Sequence, residues 1–195
     1  MVFEYPHSFA DGSILPEIRL EVGVLASWNL LETREISSYV AQKYGRLFTQ
    51  PTTTILMVKP EQTFWEKATI LHREANRING NFPQRYSRHY YDLYRLSKSE
   101  VKGIAFKDFR TLKDVVEFKD KFYHCSWAKY SDCLNGNFRL IPDKKTLEKI
   151  NLDYVKMQNM LFGIKPSINE IIECLKNLET EINGIYLKNG GEMGI

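Results

Sequence analysis

The sequence predicts an α+β fold, with a small sheet and associated helices over roughly residues 1–100 and a C-terminal helical bundle over 101–195. Three observations carry this. Two short apolar runs with strand character, PEIRLEVGVLAS and TTTILMVKP, lie in the first 60 residues. From Thr111 onward the apolar period is almost purely helical. Two T/S-x-x-E signatures, at Thr63–Glu66 and Ser167–Glu170, each stand before an apolar stripe of helical spacing.

In PEIRLEVGVLAS, Ile18, Leu20, Val22 and Val24 alternate with Arg19, Glu21 and Gly23, the period of a half-buried strand with Glu21 on its less apolar face. TREISSYVAQKYG reads as a helix stopped by Gly45. Thr52 to Pro60 is β-branched, apolar and bounded by prolines, so it reads as a second strand. Strand–helix–strand units usually run parallel, which is the pairing expected here.

TFWEKATILHREANR follows. Thr63 and Glu66 make a capping box, and Phe64, Ala68, Leu71, Ala75 and Ile78 recur at steps of three and four. Lys67 falls about 60° from the centre of that stripe at ~100° per residue, a rim position from which an ammonium can reach outward over apolar surface. NGNFP ends the helix. Ser87 is the expected cap of the next helix, whose apolar face is Tyr86, His89, Tyr90, Leu93 and Leu96, with Asp92 at the rim between Arg88 and Arg95.

TLKDVVEFKDKFY is one further helix and SWAKYSDCL a shorter one. DKKTLEKINLDYVKMQNMLFG places Leu147, Ile150, Tyr154, Met157 and Leu161 on one face, closed by Gly163. The last segment carries a seam of Ile168, Ile171, Leu175, Leu178, Ile182 and Ile185. The short link between these two predicts an antiparallel helix hairpin. The tail KNGGEMGI is expected to fray.

Composition narrows the function classes. The net charge is +3, but between Trp65 and Tyr130 fourteen basic side chains face eight acidic ones, a local balance of +6. Such a middle is either a solvated face or a site for phosphate or nucleic acid. Three cysteines without a CxxC spacing argue against a disulfide framework and for a reducing compartment, so a cytoplasmic protein is expected. No apolar run has the length of a membrane span, and the N-terminus lacks signal-peptide character. There is no Gly-rich phosphate loop, no GxSxG, no HExxH and no DxD. Taken singly, Lys67 reads as a solvated lysine, Asp92 as a surface ion-pair acid, Glu21 as the polar half of a strand, and His72 and His89 as packed or surface histidines.

Taken together, VKPEQTFWEKATILHREANR, RYSRHYYDLYRL, VVEFKDKFYHCSWAKY, FRLIPD, LDYVKMQNMLFG and INEIIECLKNLETEIN resemble the AbiEii/AbiGii-type nucleotidyltransferase toxins, in order and spacing, from about Glu17 to Asn183. The resemblance implies a polymerase-β-like nucleotidyltransferase sheet, here truncated, followed by the helical bundle. It implies that Lys67 contacts the triphosphate of an NTP substrate, that Asp92 stands beside it as a catalytic group, and that Glu21 is a metal carboxylate for Mg²⁺. It also implies an RNA acceptor, with tRNA expected, and an antitoxin partner.

These residue types suit the chemistry: nucleotidyl transfer depends on positioning and on neutralising charge at phosphate oxygens. The family's glycine-serine turn and DxD pair have no counterpart in this sequence. The expectation is therefore that the chain binds NTP and RNA but does not transfer nucleotides alone, unless a separately encoded N-terminal half supplies the missing carboxylates. Two other readings stay open. One is a non-catalytic RNA- or nucleotide-binding module using Lys67, Arg88, Lys98, Lys113, Lys119 and Lys121. The other is an interaction module whose sheet edge pairs with a partner.

Overall fold

The computed structural model describes residues 1–6, 16–20, 22, 30–78 and 82–188. Glu21, Val24, the DGS turn at Asp11, the Asn79 turn and most of the KNGGEMGI tail lie outside them.

Among the described residues, strand content comes as two separate antiparallel ribbons. β1 (Val2–Glu4) pairs with β2 (Glu17–Arg19), and β3 (Leu31–Ser37) pairs with β4 (Thr52–Val58) in the register Leu31↔Val58 to Ser37↔Thr52. This corrects two expectations. The stretch read as one helix is a strand up to Ser37, and only α1 (Tyr39–Tyr44), capped by the Ser38 hydroxyl, is helical. The two runs expected to pair in parallel do not pair with each other among the described residues: β2, from PEIRLEVG, pairs with β1, and β4, from TTTILMV, pairs antiparallel with β3. Thr33, Ile36 and Ser37 have moderate helix propensity at best, and a complete ladder against TTTILMV outweighs a helix of so few turns.

The core is helical. It comprises Phe64, Trp65, Ala68 and Leu71 of α2 (Pro60–Ala75), Tyr90 and Leu93 of α3 (Ser87–Ser97), and Ala105 of α4 (Glu100–Ala105). Leu112, Val115 and Val116 of α5 (Phe109–Phe122), Ile150 and Tyr154 of α6 (Lys144–Met157), and Ile171, Leu175, Leu178 and Ile182 of α7 (Ile168–Lys188) complete it. This cluster runs through position 100, where the sequence suggests a boundary, and no described strand residue belongs to it. The β3–β4 ribbon reaches the bundle through the start of α2: Lys59 N–H donates to Leu30 O at 2.9 Å, and Leu30 N–H donates to Gln62 Oε1 at 3.2 Å.

Helix starts follow local chemistry in most cases. Asp108 caps α5 and Asp143 caps α6 through Thr111 and Thr146, and the Ser167–Glu170 box at α7 closes in both directions. α2 differs. It begins three residues before the expected box, at Pro60, a residue pre-set for the first helical position. α3 differs too. Ser87 is its first residue instead of its cap, and the Asp153 carboxylate of α6 accepts Arg85 N–H at 2.8 Å and Ser87 N–H at 2.9 Å. SWAKYSDCL is two 3-10 turns, split at Lys129 by a left-handed residue with φ 50° and ψ 47°.

The last two long helices do not simply form a hairpin. The chain leaves α6 through a 3-10 turn and Gly163, at φ 74°, and α3 packs against α6 and α7 more extensively than they pack on each other. The extended FRLIPD segment is held against α7 by Asn183, which binds both Phe138 backbone groups, and by Glu179, which accepts the Leu140 and Ile141 N–H groups. Among the described residues no helix is long and apolar enough to cross a membrane.

Candidate functional site

α2 and α3 pack side by side, and their rims meet at one cluster. The apolar stripe of α2 is wider than the sequence suggests: Trp65, Thr69 and His72 are buried beside Phe64, Ala68 and Leu71. This leaves Lys67 at the margin with its side chain 22 % exposed, facing Asp92 of α3 at 38 %. Lys67 Nζ donates to Asp92 Oδ2 at 2.8 Å and to His89 Nδ1 at 3.1 Å. An ammonium only donates, so His89 Nδ1 is the acceptor and the ring carries its proton on Nε2.

His89 is buried. Burial first, and then the charges of Lys67, Arg88, Lys119 and Arg73, pull its pKa down to about 3, so the imidazole is neutral at physiological pH. The Tyr86 ring stands edge-on to it at 4.9 Å, and the Tyr86 hydroxyl accepts from Arg73 Nη2 at 3.1 Å. Behind this, the fully buried Glu74 carboxylate binds Arg73 at 3.0 Å and Arg77 at 2.6 Å. A chain of contacts, polar except at the Tyr86–His89 ring edge, thus runs from the interior of α2 to the half-buried Lys67–Asp92 pair.

The remaining basic residues divide. Arg88 is exposed on α3 and acts electrostatically on His89. Lys98 lies exposed just beyond α3, with its ammonium 6.0 Å from the Tyr94 ring centroid. Lys113 is exposed and 3.9 Å from Glu117, and Lys121 is exposed over the Phe122 ring. Lys119, expected among the nucleic-acid contacts, turns its ammonium inward: Nζ donates to Glu66 O at 2.8 Å and to Thr69 Oγ1 at 2.7 Å. Burial pushes its pKa down to about 7.

The other histidine singled out in the sequence, His72, is a core hub. Its Nδ1 accepts Arg139 N–H at 3.0 Å, its Nε2 donates to Lys129 O at 3.0 Å, and burial lowers its pKa. Sequence reasoning did not assign a role to His89. The signal was available: His89 stands three residues before Asp92 and so shares its helical face.

Glu21 lies outside the described residues. Among the described residues no group of three or more His, Cys, Asp or Glu side chains is placed to hold a metal ion, and one Asp92 oxygen is already bound to Lys67. Mg²⁺ requires a near-octahedral oxygen shell. The described donors do not fit that ion.

The chain matches the family model described as "Nucleotidyl transferase AbiEii toxin, Type IV TA system" over residues 1–177. Neither the curated proteins nor the solved structures provide a match.

Proposed function

The chain belongs to the AbiEii nucleotidyltransferase-toxin family, and from that premise we propose that the Lys67–Asp92 pair is a phosphate-binding site for an NTP. On this reading the chain also engages RNA, with tRNA the expected acceptor, and transfers no nucleotide by itself. Membership of a type IV toxin–antitoxin family implies an antitoxin as partner.

One observation supports the phosphate reading above the rest. Lys67 and Asp92, on different helices and 25 residues apart, are in direct contact at the surface of an electropositive cluster. Asp92 anchors the lysine head group at 2.8 Å, and the lysine offers a compact positive charge to phosphate oxygens. Binding is the whole of the step assigned to these residues. Transfer calls for a carboxylate set that the described residues do not contain.

The test is direct. The purified protein is incubated with α-³²P-labelled NTPs, Mg²⁺ and tRNA, and NTP binding is measured in parallel. The expected result is no label in tRNA, together with NTP binding that Lys67→Ala weakens by about tenfold, the scale of one lost charge-assisted contact. Robust incorporation abolished by Lys67→Ala would overturn the claim of no autonomous transfer. Binding indifferent to Lys67→Ala would overturn the phosphate assignment. The exposed cations Arg88, Lys98, Lys113 and Lys121 support a second reading, RNA binding without any nucleotide, which steep salt dependence in the absence of NTP would favour.

A further inference from the structure

We propose that His89 is the positioning residue of this site: it fixes the direction in which Lys67 presents its charge. The inference rests on the phosphate reading above and adds a residue to it.

An ammonium has three N–H bonds in tetrahedral array. One of those on Lys67 goes to Asp92 Oδ2 and a second to His89 Nδ1. Two fixed acceptors remove the freedom to spin about Cε–Nζ, so the third N–H points one way. With the side chain still 22 % exposed, that bond is the one left for a phosphate oxygen. Asp92 alone would leave the head group free to rotate about a single contact.

His89 suits this task where a second carboxylate would not. A neutral acceptor orients the lysine without cancelling its charge, so the site stays net positive for an anionic ligand. The imidazole is itself held in place. The Tyr86 ring packs edge-on against it, Arg73 holds the Tyr86 hydroxyl, and Glu74 holds Arg73 from a fully buried position. The start of α3 that carries Tyr86 and His89 is pinned from α6 by Asp153. The site is thus pre-organised before any ligand arrives, which lowers the ordering cost of binding.

Two measurements test the proposal. The first needs no variant: the ¹⁵N resonances of the His89 ring in the wild-type protein report its tautomer. An unprotonated Nδ1 with the proton on Nε2 is expected, and a ring protonated on Nδ1 would overturn the proposal, because it could not accept from Lys67. The second uses ATP as probe with His89→Asn, His89→Phe and Lys67→Met, each compared with wild type by calorimetric titration and by thermal melting.

Asparagine can place its amide oxygen near the position of Nδ1; phenylalanine keeps the ring volume and removes the acceptor. The expected result is that His89→Phe weakens ATP binding by roughly five- to tenfold, the scale of releasing one ordered side chain. His89→Asn should restore binding to within about twofold of wild type, a rescue that a merely structural role would not produce. Equal ATP affinity in wild type and His89→Phe, with Lys67→Met weakened, would sink the positioning role and leave the phosphate reading standing. Lys67→Met binding ATP as well as wild type would sink the phosphate reading instead, while the ring tautomer still reports separately on the His89–Lys67 bond.

Discussion

Replacing Asp153 by alanine removes the only side-chain cap at the start of α3 among the described contacts, and α3 carries both His89 and Asp92. The Asp153 carboxylate accepts Ser87 N–H at 2.9 Å and Arg85 N–H at 2.8 Å. Ser87 is buried and Arg85 exposed, so one orphaned donor is cut off from water and the other is rehydrated. A capping side chain contributes about 0.5–2 kcal/mol, and hydrogen bonds to a charged acceptor lie at the upper end. A loss of about 2 kcal/mol follows. For a chain of this size that corresponds to a fall of about 4–8 °C in Tm, or roughly 1 M in the urea midpoint at a slope of about 2 kcal/mol/M.

Asp153→Asn should fall between the two, because the amide offers one acceptor and no charge. The pH dependence supplies a sign. Partial burial pushes the carboxyl up, but the bonds from Ser87 and Arg85 outweigh it, so the folded pKa lies below the ordinary value of about 3.9. The stabilisation is therefore complete above about pH 4 and is lost as pH falls through the folded pKa. Wild type and Asp153→Ala should converge at acid pH. A Tm for Asp153→Ala within about 1 °C of wild type at pH 7 would refute the tertiary cap.

Two further substitutions probe the interior behind the site. Glu74→Gln leaves Arg73 and Arg77 facing a neutral group in place of a buried carboxylate, and a loss of about 3 kcal/mol is expected in thermal or urea unfolding. A change below about 1 kcal/mol would show that the pair is solvent-relaxed. Lys119 has its folded pKa pulled by burial to about 7, below the unfolded value of about 10.4, so from near pH 7 up to pH 10 the unfolded chain binds more protons. Stability should rise over that window by up to about 1.4 kcal/mol per pH unit, and Lys119→Met should flatten the rise in a series of melts from pH 6 to 9.5. An identical slope in the variant would count against the inward-facing ammonium.

Much of the helical half was legible in the sequence because its determinants are local. The seam of Ile171, Leu175, Leu178 and Ile182 is buried where the heptad-like spacing puts it, and the Ser167–Glu170 box closes as its spacing requires. Stripe and cap both depend on residues within one or two turns of each other. TREIS misled for the opposite reason. Its helix-compatible residues become a strand because TTTILMV, fifteen and more residues later, offers a full ladder.

At the site, the sequence by itself determined the types and rim positions of Lys67 and Asp92, since an apolar stripe with a period of 3.6 suffices to place a residue on a helix face even where the expected cap is not used. Only the tertiary structure decided that these two rims meet at 2.8 Å, that a neutral His89 shares the same ammonium, and that Lys119 faces inward instead of toward solvent. The physical reason is one of range. Helical period is written within a few residues, whereas the crossing of α2, α3 and α5 is set by how their buried faces fill a common core. Charges at the edges of those faces meet or part as that packing dictates.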